Sequence, residues 1–336
     1  MKFGLILPIQ SLEVPLDKLI DELIEEAIAA EAAGFDACFL PEFHQAHLGA
    51  IVSPHLIGAA ILRATTTLRF GAAVLATPLH HPIRLAEEIL MLDWMSRGRI
   101  ITGLGIGHQI PDFEAFSVNR AARSDITDEI LDILDHAFSG DKFEYRGKHF
   151  SLAAHITPSP YSQPRPPVWI GAHSERGLTR AAQRADMWIS DPQRDIDSCA
   201  RLARFYKEQC AIANKVPHIG LFREAWIGDS KSDCIKNWGK HALAIHRLYY
   251  NVGTYRKEFE PWVNEVKNRE DFTFERISAG RFLFGSGNEI VDEVRNWQAI
   301  SGCEYLALRM RHPGGPTHLE TMEAIGRFGA EVISKV

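Results

Sequence analysis

The stretch from Gly71 to Gly107 constrains the fold of this chain more than any other part of the sequence. It runs GAAVLATPLHHPIRLAEEILMLDWMSRGRIITGLGIG and contains an apolar strand, a histidine-rich exit, an amphipathic helix and a second strand. This order predicts one βαβ unit with parallel strands. Because Gly103, Gly105 and Gly107 alternate along the second strand, we expect a face flat enough for a planar ligand to approach the backbone.

Strand-like apolar runs alternate with helical patterns along the whole chain. Such alternation predicts parallel strands with right-handed crossovers, and eight units in 336 residues favour an α/β fold, a closed (β/α)8 TIM barrel. An open doubly wound sheet is the alternative. We expect one domain over residues 1–336, with strand runs at residues 3–7, 37–41, 69–76, 100–105, 167–171, 186–190, 219–227 and 303–309.

Polar residues directly follow six of the eight runs, where a barrel would gather them on one rim. This placement favours the barrel over the open sheet and predicts that the chemistry lies above the carboxyl ends of the strands. The residues are Glu42 and His44 after the second run, His80 and His81 after the third, His108 after the fourth, His173 and Ser174 after the fifth, Asp191 after the sixth, and Arg311 and His312 after the eighth.

Two segments interrupt the alternation of strands and helices. Residues 143–166 include the proline-rich stretch SPYSQPRPP, whose prolines predict an irregular excursion before the fifth run. Residues 248–284 are rich in aromatic and charged residues and fall between the seventh and eighth runs. We expect an insertion without a strand there, either a lid or an added helical layer, and we predict that residues 252–282 act as a lid that is less ordered than the barrel until a ligand fills the pocket.

The charge and the cysteine content limit the partners and the compartment. A formal net charge of −6 argues against nucleic acid or an anionic membrane as the main partner, because either would select a basic patch. The five cysteines are scattered without C-x-x-C spacing, which predicts reduced, buried thiols. The N-terminal MKFGLILP has too short an apolar run for a signal peptide, so we expect a cytoplasmic protein.

Several common catalytic motifs are absent from the sequence. GLGIG fails as a dinucleotide fingerprint because His108 stands where a third small residue is needed. There is no Walker loop, no G-x-S-x-G and no lysine at the end of a strand run, which argues against phosphate-loop, serine hydrolase and Schiff-base chemistry. No H-E-x-x-H pattern occurs, so we expect no catalytic metal.

The GAHSERG segment joins the end of the fifth run to the start of a helix. Ser174 is the predicted cap of this helix, and the amides of Glu175, Arg176 and Gly177 would point at an anion together with the helix dipole. The alternative is a plain serine N-cap that holds no anion.

LPEFHQ places Glu42 and His44 just after the second buried run. A carboxylate and an imidazole at the mouth of a barrel suit proton transfer, since the unperturbed pKa of histidine lies near working pH. The alternative is a solvated loop with no catalytic role.

Five segments resemble the flavin-dependent luciferase-like monooxygenases, in the same order and at similar spacing over almost the whole chain. They are MKFGLIL, GFDACFLPEFH, the 71–107 stretch, PPVWIGAHSERGLTRAAQRADMW and ALRMRHPGG. The combination of HPIRLAEE and LDWMSRGR after a strand is the most specific of these matches. The resemblance implies a (β/α)8 barrel that holds reduced FMN at its rim, forms a dimer and receives reduced flavin from a separate reductase.

The resemblance also implies roles for individual residues. It places Glu42 and His44 beside the flavin ring, and the amides after Ser174 at the phosphate. It implies a cis peptide bond between Ala73 and Val74, beneath the ring. The expected cofactor-binding residues are Ala73, Val74, Gly105, His108, Ser174, Glu175, Arg176 and Gly177.

Two positions depart from the family pattern. Phe43 stands where many members have a histidine, so we assign the proton-transfer role to His44. Ile106 stands where relatives place an arginine near the phosphate, which leaves Arg123 or Arg176 to supply the charge.

These expectations define an FMN-dependent monooxygenase, a homodimer with no nucleic-acid or membrane partner. The resemblance implies that reduced FMN and O2 form a flavin C4a-hydroperoxide, which oxygenates a small organic substrate. His44 would transfer the proton, and Glu42 would orient His44 or the ring. Two alternatives stay open: a deazaflavin (F420)-dependent oxidoreductase on the same barrel, which needs no oxygen, and a flavin-binding protein without catalysis.

Overall fold

Eight parallel strands close into a barrel, which confirms the fold expected from the sequence. The structure is a computed structural model and describes residues 1–45, 51–255 and 257–336. Its strands are β1 (Lys2–Ile6), β2 (Ala37–Leu40), β3 (Arg69–Ala72), β4 (Leu75–Ala76), β5 (Ile100–Gly105), β6 (Phe143–Arg146), β7 (Ser151–Ala154), β8 (Val168–Gly171), β9 (Met187–Ser190), β10 (Ile219–Ile227), β11 (Phe282–Gly285) and β12 (Tyr305–Arg309). The barrel runs β1–β2–β3–β5–β8–β9–β10–β12, and β12 pairs with β1 to close it.

Helices surround the barrel, and a proline and a glycine mark two of their ends. They are α1 (Leu16–Ala32), α2 (Pro54–Ala64), α3 (Pro82–Ser96), α4 (Ile110–Ala115), α5 (Arg123–Ser139), α6 (Glu175–Arg184), α7 (Ile196–Ile212), α8 (Lys231–Cys234), α9 (Lys240–Asn251), α10 (Phe274–Ser278), α11 (Gly287–Ser301) and α12 (His318–Glu331). A π-helical segment, Ile235–Gly239, joins α8 to α9. Pro82 opens α3 directly after His81, and Gly140, with a φ of 78°, ends α5.

The barrel interior is filled by side chains that alternate along the strands. Phe222 of β10 and Ala307 of β12 belong to this interior cluster. Because successive side chains of a strand point to opposite faces, Glu224 and Arg309 continue the same inward rows toward the carboxyl ends of their strands. The cluster consists of Ile6, Ala37, Phe39, Ile101, Trp169, Met187, Ile189, Phe222, Tyr305 and Ala307.

The predicted irregular excursion begins with an antiparallel hairpin of β6 and β7, so the expectation was wrong for its first part. Every second residue of these two short strands is exposed, which leaves no continuous apolar run to detect in the sequence. The proline-rich remainder is irregular, and its Thr157–Pro158 and Gln163–Pro164 bonds are cis.

The insertion between β10 and β12 contains a strand, contrary to the expectation of a segment without one. β11 pairs with Glu224–Ile227 of β10, beyond the portion of β10 that pairs with β9. It therefore extends the barrel wall on the β9 side. Phe282, Leu283 and Phe284 follow other aromatic residues closely in the sequence, so no compositional boundary marks this strand.

The premise for a lid, that the insertion has little to pack on, is also wrong for the described residues. Phe272 is fully buried, and its ring lies 5.2 Å from Tyr250 of α9 and 5.5 Å from Trp262. Glu260 is fully buried and pairs with Arg281, which precedes β11. The insertion thus has an aromatic core and a buried ion pair of its own.

We therefore expect residues 252–282 to be protected from hydrogen exchange nearly as well as β3 and β5, because buried aromatic and ionic contacts must break before they open. Exchange followed by mass spectrometry on the purified protein tests this. Exchange much faster than in the two strands, slowed when reduced FMN is added, would restore the interpretation as a lid.

Among the described residues, no helix is long and apolar enough to span a bilayer. All five cysteines are free and buried, as the sequence analysis expected.

Candidate active site

Glu42 is held at the carboxyl end of β2 by groups from the next crossover. Its carboxylate accepts a hydrogen bond from the Ala76 amide at 2.6 Å and lies 3.0 and 3.1 Å from His80 Nε2. Its side chain is only 4% exposed. Burial opposes ionisation, but His80 and the Ala76 amide stabilise the anion, so the pKa of Glu42 lies below its usual value. Glu42 is therefore a fixed carboxylate at neutral pH.

His44 lies beside this carboxylate, as the sequence predicts. Its Nε2 is 3.3 Å from Glu42 Oε1 but makes no hydrogen bond within the described part of the chain. The ring lies 4.6 Å from that of Phe116, and the side chain is 15% exposed. A ring nitrogen that is not engaged, next to a carboxylate, leaves His44 able to accept or deliver a proton.

Val74 forms an apolar seat on top of the barrel interior. The cis peptide bond expected between Ala73 and Val74 is confirmed, and both residues pack on the interior cluster while remaining partly exposed. A Cβ added at Gly105 would lie 2.5 Å from Val74 Cγ2, and one at Gly171 would lie 3.3 Å from Val74 Cγ1. We call Val74 with these two glycines the Val74 seat.

This packing corrects the expectation that a planar ligand lies against Gly105 itself. Gly105 is buried beneath Val74, and a Cβ at Gly103 would lie 1.7 Å from the Ala72 carbonyl oxygen. The two glycines of β5 thus make room for the protein's own β3–β4 segment. Any flat ligand at this position rests on the Val74 side chain.

Ser174 is the N-cap of α6, and the first turn of this helix is open to solvent. Its Oγ accepts a hydrogen bond from the Gly177 amide at 3.3 Å. Ser174, Glu175 and Arg176 are all exposed. Gly171 of the Val74 seat precedes Ser174 by three residues, so the seat and the helix N-terminus are neighbours on one rim.

The Arg176 guanidinium does not point toward this N-terminus. It lies 2.7 Å from Asp125 and 2.8 Å from Asp128, both on α5. These two hydrogen bonds to carboxylates raise the pKa of Arg176 above its usual value. The Arg176 side chain is therefore turned away from the N-terminus of α6, contrary to the expectation that it would supply a charge there.

His108 lies within electrostatic range of Asp112 and of the pair formed by His173 and Asp191. The Phe43 ring makes an edge contact with His108 at 6.1 Å, so the family departure at Phe43 gives a packing partner for His108. The protein atoms packed around the imidazole disfavour its charged form and lower the pKa of His108, while the nearby negative charge of Asp112 offsets part of this decrease. His173 Nδ1 lies 3.5 Å from Asp191 at the end of β9.

Arg311 is buried against α1, away from the rim, which corrects its predicted placement, whereas His312 is buried with its Nε2 3.6 Å from the Glu224 carboxylate. Arg311 donates hydrogen bonds at 2.5 Å to Glu22 and Glu26 of α1. The His312 ring packs 5.8 Å from Trp238, and burial lowers the pKa of His312 to about 3. The eighth strand instead presents Arg309 to the barrel mouth.

Sequence reasoning missed Arg309 and its partners. Arg309 Nε donates to Glu224 Oε2 at 3.0 Å, its Nη2 donates to Glu224 Oε1, and its Nη1 donates to the Tyr249 hydroxyl at 2.8 Å. His246 Nε2 lies 3.1 Å from Glu224 Oε1. We call Glu224, Arg309 and Tyr249 the Arg309 wall. Counting every second residue from Tyr305 would have revealed the inward direction of Arg309.

The acid–histidine pair, the Val74 seat and the open N-terminus of α6 all lie at the carboxyl ends of the strands, which is where enzymes with this barrel fold place their active sites. The chain belongs to the luciferase-like monooxygenase family, whose sequence profile matches residues 1–302. This membership confirms the family and the enzyme class that the sequence analysis expected.

Individual relatives agree with this membership. The oxygenase component of the flavin-dependent trigonelline monooxygenase of Acinetobacter baylyi is 23% identical over 308 residues, 86% of this chain and 82% of that protein. Three solved structures share the fold. They are the monooxygenase RslO1 of Streptomyces bottropensis (TM-score 0.88, 17% identity, 99% of each chain), the oxygenating constituent of 3,6-diketocamphane monooxygenase of Pseudomonas putida in complex with FMN (0.82, 19%, 100% of this chain and 99% of that one) and an F420-dependent secondary alcohol dehydrogenase (0.75, 15%, 99% and 98%).

Proposed function

We propose that this protein uses reduced FMN and O2 to oxygenate a small organic molecule, with reduced flavin supplied by a separate reductase. The observation that carries the proposal is the adjacency of the Val74 seat and the open N-terminus of α6, on the same rim as Glu42 and His44. A flat apolar support and a group of exposed amides suit a planar ring with a phosphate tail. The relative named as an oxygenase component supports a separate reductase.

In this proposal, the cofactor and individual residues of the chain have separate roles. When bound, reduced FMN supplies the electrons that activate O2. Val74 would support the ring, and the first turn of α6 would hold the phosphate. Glu42, fixed as an anion by His80 and Ala76, would orient His44 or the cofactor, and His44 would move the proton.

Turnover and cofactor binding test this function together. The protein is supplied with reduced FMN from a general flavin reductase and with a panel of ketones, aldehydes and N-heterocycles under isotopically labelled O2. Incorporation of one labelled oxygen atom into a panel member, detected by mass spectrometry, is the expected result. Tight binding of F420 with hydride transfer in the absence of O2 would instead establish the F420-dependent alternative. FMN binding with no change in oxygen chemistry would establish a flavin-binding protein without catalysis.

Ser174→Ala should weaken the binding of reduced FMN by about 1–2 kcal/mol, the typical contribution of a hydrogen bond to a charged group. Anaerobic titration measures the dissociation constant. Ser230→Ala, which removes a similar N-cap serine from α8, serves as the matched control and should leave FMN affinity unchanged. Equal affinity of the Ser174 variant and the wild type would contradict the phosphate assignment.

We also propose a homodimer that buries the exposed face of α2 and α3. Leu56 on α2 is 73% exposed, and Met91, Trp94 and Met95 form an exposed apolar row on α3. Several large apolar side chains exposed on two neighbouring helices are typical of an interface. Sedimentation should give twice the chain mass of 37.7 kDa, and Met91→Glu should give monomers, whereas Ile212→Glu at the end of α7 should not. A monomeric wild type would contradict this proposal.

We further propose a cytoplasmic setting, since every cysteine is a free buried thiol.

A further inference from the structure

The Arg309 wall stands across the barrel mouth from the Val74 seat. In the order of the eight strands, β10 lies four positions from β3 in either direction, and β12 lies four positions from β5. The guanidinium of Arg309 lies 5.1 Å above the ring of Phe222, a member of the interior cluster against which Val74 packs. A substrate lying between the seat and this wall would meet both.

At the centre of the Arg309 wall, the carboxylate of Glu224 and the guanidinium of Arg309 neutralise each other. Glu224 is fully buried and binds Arg309 through both carboxylate oxygens. Burial opposes the ionisation of Glu224, but Arg309 and His312 and the hydrogen bond from His246 hold the pKa of its carboxyl well below the usual range. Burial also lowers the pKa of His246, which keeps its imidazole neutral. The wall therefore carries no net charge.

Tyr249 is the member of this wall with an unused donor. Its oxygen accepts a hydrogen bond from Arg309 Nη1, which polarises the hydroxyl group. Among the described residues, no acceptor receives the Tyr249 hydroxyl hydrogen. The side chain is partly exposed, and Asp191, at the inward end of β9, lies within electrostatic range of it.

We propose that Tyr249 donates a hydrogen bond to a carbonyl oxygen of the organic substrate, and that Arg309 and Glu224 are positioning residues that fix the hydroxyl. Because the wall is neutral overall, the substrate class it selects is a neutral carbonyl compound. This inference rests on the proposed function, since it places the substrate beside the flavin seat.

Binding of matched compounds tests the inference without turnover. Cyclohexanone and acetophenone are compared with methylenecyclohexane and α-methylstyrene, in which a CH2 group replaces the oxygen atom. Dissociation constants are measured by ligand-observed NMR on the protein with FMN present. The wild type should favour each ketone over its hydrocarbon. Tyr249→Phe should weaken ketone binding about 5- to 10-fold, the usual effect of losing one hydrogen bond, and leave hydrocarbon binding unchanged.

Tyr250→Phe is the matched control, because this neighbouring residue of α9 directs its hydroxyl to the Val266 carbonyl oxygen at 3.4 Å. It should leave the ketone preference intact. Arg309→Lys, which keeps the charge but loses the fork, should reduce the preference without reducing hydrocarbon binding. No ketone preference in the wild type, or an equal loss in both tyrosine variants, would overturn the proposal. If the wild type shows the Tyr249-dependent ketone preference but incorporates no oxygen, the carbonyl-binding site is supported and the proposed monooxygenase function is overturned.

Discussion

Replacing His44 with alanine is expected to divert O2 from the organic product to hydrogen peroxide while reduced FMN still binds. The Nε2 atom of His44 lies 3.3 Å from the fixed Glu42 carboxylate and is free of hydrogen bonds within the described residues, whereas His80 is held by Glu42, so His44 is the better placed of the two imidazoles to transfer a proton. Proton transfer by a positioned side chain contributes about 100-fold or more in rate. Product formation should fall by that factor.

The measurement compares product and hydrogen peroxide in the wild type and in His44→Ala, with reduced FMN from a separate reductase. His136→Ala is the control, since this histidine stacks on Phe143 at the β6–β7 hairpin, away from the rim. Oxygenation by His44→Ala at the wild-type rate would assign the proton to another residue. His108 would then be the first to test, because His81 packs against Phe150 at the start of α3.

Glu224→Ala is expected to lower the free energy of unfolding by about 3–5 kcal/mol, the usual cost of leaving a buried charge without its partner. Arg309 would keep its positive charge in a buried position, where Tyr249 would be its one remaining hydrogen-bond partner among the described residues. Urea unfolding followed by tryptophan fluorescence at pH 7 measures the loss. Glu265→Ala is the control, since Glu265 is largely exposed and its pair with Arg276 should contribute less than about 1 kcal/mol.

The same prediction has a defined pH dependence. The pKa of Glu224 is lower in the folded protein than in the unfolded chain, so its contribution is fully present above the unfolded value, about 4.3. It declines as the pH falls below that value toward the folded pKa. The difference between wild type and Glu224→Ala should therefore be constant from pH 8 to about pH 5 and shrink in more acidic solution. A cost no larger than that of Glu265→Ala would contradict the role of the buried pair.

All eight barrel strands could be predicted because parallel strands buried on both faces appear as continuous apolar runs. Ile100–Gly105 and Ile219–Ile227 match their predicted bounds to the residue. The sequence analysis did not predict the β6–β7 hairpin or β11, for opposite reasons. The hairpin is half exposed and lacks an apolar run, whereas β11 is apolar within a segment that is aromatic throughout.

The sequence by itself determined the barrel and the candidates Glu42, His44 and Ser174, because these follow from local periodicity and from position after a strand, whereas Val74 became a candidate only through the resemblance to the family. Only the tertiary structure decided what each polar group contacts. Arg311 turned out to bind carboxylates of α1, at the other end of the chain, while Arg309 faces the mouth. Ion pairs and hydrogen bonds depend on which groups approach within about 3 Å, and that distance is set by packing between elements far apart in sequence.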